Sequence, residues 1–282
     1  LFASKSKTKD DWINTIFHTY TIEDRRPSST IPNGYKYEIY SIDPVGSKDI
    51  DDAFSIRNLS VIPTPTPIST QINSERLQSL INKPRKKLLS IYIANVTLWM
   101  DIMNLWKHVS KRVSSIYLPN QKVSMLPNIL GDDLCSLLQD ETRFAFCMDI
   151  YLDEAFSSNG KTYTITNIKY RNVAIKVTDN LSYDEQRFLS SKTYKELFEI
   201  VSSLNKQERF GYRYLQNGIK DSHEVIQYLM LFMNCQLASW CKTRHIGIFR
   251  VLPDTICKEE LEYVNEEIRP FVEIWNNVGG MY

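Results

Sequence analysis

Four aspartates crowd into ten residues near the start of this 282-residue chain: Asp43-Pro-Val-Gly-Ser-Lys-Asp49-Ile-Asp51-Asp52. No other stretch concentrates negative charge in this way. Carboxylates that close disfavour one another's charged form, so they ionise together readily only where a multivalent cation neutralises them. An all-oxygen donor set selects hard cations such as Mg²⁺ or Mn²⁺, whereas zinc wants His or Cys, and neither lies nearby. A calcium EF-hand fits poorly. Counted from Asp43 or Asp49, the loop has no Gly at its sixth position and no Glu at its twelfth. Taken on spacing alone, a solvated acidic turn remains the plain alternative.

The flanking residues must position these acids. Tyr35-Lys-Tyr-Glu-Ile-Tyr-Ser-Ile-Asp43 alternates polar and apolar residues with an aromatic and β-branched bias, and Ala53-Phe-Ser-Ile56 resumes the pattern. The acids are therefore expected at strand ends. Asp49 and Asp51 share one face if their segment is extended, with Asp43 and Asp52 approaching from the flanks. Such a group can hold more than one ion.

Downstream, Ile102, Leu105, Trp106, Val109 and Val113 predict an amphipathic helix over 101–113 whose stripe enters the core. Residues 144–152 and 163–175 predict paired strands joined across Ser157-Ser-Asn-Gly160. From Ser182 the period turns helical. Tyr194, Leu197, Phe198, Val201 and Leu204 form one stripe and residues 225–241 a second; Leu261, Val264, Ile268 and Phe271 form a third, kinked at Pro270. Strands first and helices after imply an α+β domain with the acids at one edge of the sheet.

Residues 41–56, SIDPVGSKDIDDAFSI, closely resemble the signature of the RNB catalytic domain of the ribonuclease II, ribonuclease R and exosome-nuclease family. Further blocks follow in the family's order. Ile91-Tyr-Ile-Ala-Asn-Val96 resembles its HIADV strand, and Ser115-Ile-Tyr-Leu-Pro119 its TSVYFP segment. Residues 125–137 resemble MLPxxLSxxLCSL, and Leu181-Ser-Tyr-Asp184 resembles LTYE. Residues 223–234 and 249–253 are similar to HELVEEFMLLAN and LRxHP.

The resemblance implies an RNB-type α+β fold, a mixed or antiparallel sheet with helices packed over a central RNA channel. It also implies a metal-dependent 3′-to-5′ exoribonuclease that hydrolyses single-stranded RNA to nucleoside 5′-monophosphates. By position, Asp43, Asp49, Asp51 and Asp52 become the Mg²⁺ or Mn²⁺ ligands. Asp51 and Asp52 become the catalytic pair, with Asp51 indispensable; spacing does not divide the four into direct ligands and water-orienting groups. Tyr117 matches the aromatic set against the terminal base, a contact that tolerates any sequence. Tyr183 matches a second substrate-binding position, although a capping box from Ser182 to Glu185 explains its block equally well.

The chain also departs from the family. Tyr92 and Asn95 stand where HIADV has His and Asp, and Gln227 and Tyr228 where HELVEEFM has two glutamates. The family's SPIRRY block, whose arginine meets the scissile phosphate, would fall after Tyr282, and the flanking oligonucleotide-binding barrels are outside the chain. The first residue is not methionine. A piece of a longer nuclease, or a processed product, is therefore expected, working with RNA-gripping domains or subunits beyond this chain. The alternative function is a catalytically impaired RNB-like subunit kept for RNA binding or as a scaffold.

Composition sets outer bounds. With 43% hydrophobic and 12% aromatic residues, the chain can bury a core without disulfide staples. Cys135, Cys147, Cys235, Cys241 and Cys257 are scattered, odd in number and without CxxC spacing, which reads as reduced thiols in an intracellular and cytoplasmic protein, with organelle and nucleus left open. The longest apolar stretch, residues 228–240, is too short and too polar to span a bilayer, so no membrane is expected. A net charge of +1 is low for a nucleic-acid binder, but basic residues group at Lys83, Arg85, Lys86 and Lys87, at Lys107, Lys111 and Arg112, and at Arg209 and Arg213. Residues 1–33 read as a polar extension and 34–282 as the nuclease domain. Residues 57–87, with a Pro-Thr-Pro-Thr-Pro spacer and a short helix near 74–81, read as a mobile insertion.

Overall fold

The computed structural model describes residues 7–27, 37–59, 85–108, 115–157, 160–207 and 217–247, with isolated positions 215, 249, 265, 266 and 269. In chain order the elements begin with α1 (Lys9–Thr19), β1 (Glu23–Asp24), β2 (Tyr40–Asp43), β3 (Asp52–Asn58), β4 (Arg85–Ala94) and α2 (Val96–Ile102). There follow β5 (Ile116–Leu118), β6 (Gln121–Val123), a π-helical turn (Ile129–Leu134), β7 (Thr142–Ser157), β8 (Gly160–Lys176) and β9 (Asp179–Ser182). Last come α3 (Gln186–Leu189), α4 (Lys192–Gln207) and α5 (Ser222–Lys242). The chain divides into two compact units, Leu1–Met230 and Leu231–Tyr282.

Seven strands of the first unit form one mixed sheet in the order β1-β8-β7-β4-β3-β2-β9. The edge pairs β1–β8 and β2–β9 are parallel and the rest antiparallel. This is the expected α+β class. β7 and β8 close the expected hairpin, with Ser157 opposite Gly160, whose φ of 109° suits a residue without Cβ. Central β4 is buried from Lys87 to Tyr92 without alternation, because both of its faces are covered.

One face carries Phe54, which packs with Tyr40 and Phe188 at ring-centroid distances of 6.1 and 6.2 Å and so seats α3 on β2 and β3. On α4 the buried residues are Tyr194, Leu197, Ile200, Val201 and Leu204, close to the predicted stripe. Buried Lys87 departs from the solvated face that its basic run suggests: it donates to Asn58 at 2.9 Å and ion-pairs with Glu154 and with Glu196 of α4.

The opposite face holds a buried polar network. Arg25 donates to Asp149 through Nη1 and Nη2, at 2.9 and 2.7 Å, while Ser90 donates to the same carboxylate at 2.6 Å. Burial alone would raise the Asp149 carboxyl, but Arg25, Ser90 and Arg171 together hold it below the usual range. Burial, then the charge of Asp149, pushes the Cys147 thiol well up, so this cysteine is a protonated core residue. Arg25 follows β1, so the polar opening stretch supplies a helix, a strand and a buried charge to this unit. A capping box between Thr8 and Asp11 starts α1, and Ile13 and Ile16 join Leu98, Trp99 and Met100 in a core cluster.

Several expected boundaries move. β2 begins at Tyr40, because Ile39 bonds Thr178 through both its N–H and its C=O instead of entering the ladder, and Tyr35 and Lys36 of the expected strand lie outside the described residues. Of the predicted helix over 101–113, the described part is corrected to a helix at Val96–Ile102 with 103–108 non-helical, and residues 109–113 lie outside the described residues. The chain leaves that helix at Asn104, which adopts φ 52°, and Trp106, expected in the core, is 56% exposed. The insertion narrows too, since β3 runs to Asn58 and β4 starts at Arg85, paired antiparallel with Asn58 opposite Lys87. Residues 60–84, with the proposed spacer and short helix, and the third helical stripe lie outside the described residues. Among the described residues no helix is long and apolar enough to cross a membrane.

Candidate active site

Asp43 ends β2, and Asp52 opens β3 opposite Ile93. Between them Ser47 N–H bonds the Pro44 carbonyl at 3.1 Å, with Gly46 at φ 84°, so the reversal requires the glycine. The segment that follows is an irregular loop and not the extended strand considered from sequence. Its anchor is Ile50, buried in a cluster with Leu137, Tyr92 and Ala145. Ser136 Oγ accepts the Ile50 N–H at 3.0 Å and donates to the Lys48 carbonyl at 2.7 Å. The Leu137 N–H bonds the Ile50 carbonyl at 2.9 Å, and buried Arg143 holds the Ser136 carbonyl at 2.6 Å. Asp49 and Asp51 thus flank an inward-turned isoleucine, and the Asp51 carbonyl is fixed by the Ala94 N–H at 2.8 Å.

The acids act on one another. Burial, then Asp43 and Asp51, pushes the Asp52 carboxyl up to about 7. Burial also raises Asp43, where a bond from Ser41 opposes it and the charges of Asp51 and Asp49 add to it. Asp51 is raised by crowding of its inner side and by Asp49, against the pull of Lys122. Asp43 Oδ2 is buried with no hydrogen-bond partner, a position that a cation would satisfy. The donor chemistry fits a hard divalent cation. Among the described residues no three His, Cys, Asp or Glu side chains converge as a ready-made metal cluster. Burial is the largest cause of the raised carboxyls, and the charges of the neighbouring acids add to it.

Lys122 of β6 was not singled out from sequence. It ion-pairs with Asp49, 73 residues away, and stands opposite Tyr117 in the β5–β6 ladder. The pairing brings the Tyr117 backbone beside the acid loop; its side chain lies outside the described residues. Tyr183 follows β9, whose Ser182 is paired with Asp43. Burial and then the charges of Asp52 and Asp43 raise its phenol, so the structure brings Tyr183 within reach of the acids' field. Its ring stacks on His223 of α5, with centroids 3.7 Å apart, and its carbonyl accepts from Ser222 Oγ at 2.8 Å. Tyr183, Tyr194, Phe198, Lys220 and His223 border a cavity of about 610 Å³.

The capping box proposed around Tyr183 is half formed. Glu185 accepts the Ser182 N–H at 3.4 Å, while Glu185 itself is the N-cap of α3. Of the positions departing from the expected blocks, Tyr92 is a fully buried member of the polar network, bonded to Ser55 at 2.9 Å. Asn95 occupies the N-cap position of α2 without a side-chain capping bond, and its side-chain amide donates to Asn172 Oδ1 at 2.9 Å. On α5, Gln227 is exposed and Tyr228 buried.

The family model described as the RNB domain matches residues 35–273. This chain belongs to the RNB family. Ribonuclease R of Ureaplasma parvum is 29% identical over 183 residues, covering 62% of this chain and 22% of that protein. The RNB chain thus spans under a quarter of that relative's length. The solved structure of Mycoplasma genitalium RNase R in complex with double-stranded RNA aligns over 94% of this chain and 45% of its own, with a TM-score of 0.56 and 20% identity. Yeast Ssd1, described as a pseudonuclease, aligns over 94% of this chain and 31% of its own, with a TM-score of 0.56 and 15% identity. Both share the fold.

Proposed function

We propose that this RNB chain carries the metal cluster of a 3′-to-5′ exoribonuclease that hydrolyses single-stranded RNA to nucleoside 5′-monophosphates. One observation carries the reading: burial, with the charges of Asp43 and Asp51 added to it, pushes the Asp52 carboxyl up to about 7. A structural role has no use for carboxyls buried within one another's field, an arrangement that is unfavourable unless a cation offsets it. Asp43, Asp49, Asp51 and Asp52 would hold Mg²⁺ or Mn²⁺. When bound, the cation supplies electrophilic stabilisation of phosphate charge and makes water more acidic.

The chain's own groups do the rest. Asp51, which keeps contact with solvent, orients and deprotonates water. Asp52 completes the negative field, and Tyr117 on the adjoining hairpin stacks on the terminal base. Tyr183, braced by His223, borders the substrate. RNA is the partner, with further gripping domains or subunits beyond this chain.

The second reading, a non-hydrolytic RNB subunit, is favoured by the likeness to Ssd1, called a pseudonuclease. Release of 5′-mononucleotides from a labelled single strand by the full-length protein with Mg²⁺ separates the two. Asp51→Asn is expected to lower the rate by about 100-fold or more at unchanged melting temperature. No release by the wild-type protein would establish the second reading.

A further inference from the structure

We propose that Lys122 is a built-in counter-charge which a divalent cation must displace from Asp49, so that this lysine sets how tightly the acid cluster binds metal. The inference deepens the proposed function and rests on reading the acids as metal ligands.

Both partners are held by their backbones. Asp49 precedes Ile50, pinned through Ser136 and Leu137. Lys122 sits mid-strand in β6, with Ile116 opposite Val123 and Leu118 opposite Gln121. At the hairpin's exit, Met125 N–H bonds Ser115 Oγ at 3.1 Å. The ammonium therefore meets Asp49 because two fixed elements present them to each other.

An ammonium is a compact charge with three donors and no acceptor. It cannot remain on a carboxylate that takes up a dication without repelling it. Lys122 thus offsets part of the acids' repulsion when no metal is bound, and competes for the same oxygens when metal arrives. The lysine and aspartate side chains are 29% and 36% exposed, so solvent screens the pair and the competition is modest. Its strength corresponds to about two- to fivefold in metal affinity.

The test is Mn²⁺ titration followed by the electron paramagnetic resonance signal of free Mn²⁺, which reads binding without turnover. Lys122→Gln is expected to bind about two- to fivefold more tightly than wild type, Lys122→Ala to do the same, and Lys122→Arg to keep the wild-type affinity. Equal or weaker binding by both neutral variants, with wild type still binding, overturns the inference and leaves the metal reading intact. Tightening in Lys122→Arg also overturns it, because shape and not charge would then govern affinity. Absence of Mn²⁺ binding in all four proteins overturns the inference together with the metal reading.

Discussion

At the scale of single residues, the acids of this RNB domain are costly to ionise, and Asp52 most clearly so. A carboxyl held at about 7 in the folded protein keeps its proton after the unfolded chain, near 3.8, has lost it. Stability therefore falls as pH rises from about 4 to about 7; the penalty is absent below that window and complete above it. In EDTA, Asp52→Asn should be more stable than wild type at pH 8, by on the order of 2 kcal/mol, and no more stable at pH 4. Urea unfolding at the two pH values measures this. Identical pH dependence in the two proteins would show that Asp52 is not strained. The acid spacing was legible because the residues are sequence neighbours. The direction and size of the strain were not, since they come from walls contributed by distant segments.

At the scale of elements, the acid loop is held less by its own residues than by the segment at 135–137. Ser136 uses one hydroxyl to satisfy both Ile50 N–H and the Lys48 carbonyl. Ser136→Ala leaves both without that partner and is expected to destabilise the protein by about 1–3 kcal/mol. Amide exchange should quicken at Ile50 while protection in β7 and β8 persists; unchanged exchange at Ile50 would deny Ser136 this role. The block containing Ser136 was visible as a pattern, yet nothing in the pattern says what it holds. α2 was misplaced for a related reason. Apolar residues at 102–113 carry helical spacing, but the core takes Leu98, Trp99 and Met100, and Asn104 turns the chain away.

At the scale of the whole molecule, the opening stretch and the middle of the sheet are joined through one buried ion pair. Arg25 and Asp149 side chains are each 1% exposed, while their further partners, Glu23 for Arg25 at 2.8 Å and Arg171 for Asp149 at 3.0 Å, are 36% and 31% exposed. Arg25→Ala should therefore destabilise the RNB chain by about 3–5 kcal/mol, with the loss of a cooperative transition as the extreme case. Chemical denaturation checks this, and a loss below about 1 kcal/mol would mean that water or Arg171 compensates. Asp149, whose carboxyl is held low, adds stability that is present above the unfolded value near 3.8 and lost as pH falls through the folded one.

Local order in the sequence was enough for the acid cluster, for the β7–β8 hairpin, for α4 with its apolar stripe and for the mixed α+β class, because each depends on residues a few positions apart. Lys122 meeting Asp49, Ser136 holding Ile50 and Arg25 locking Asp149 join positions 73, 86 and 124 residues apart. Contacts of that separation follow from strand order and loop course, and a side chain's own type carries no record of the partner that folding will bring to it.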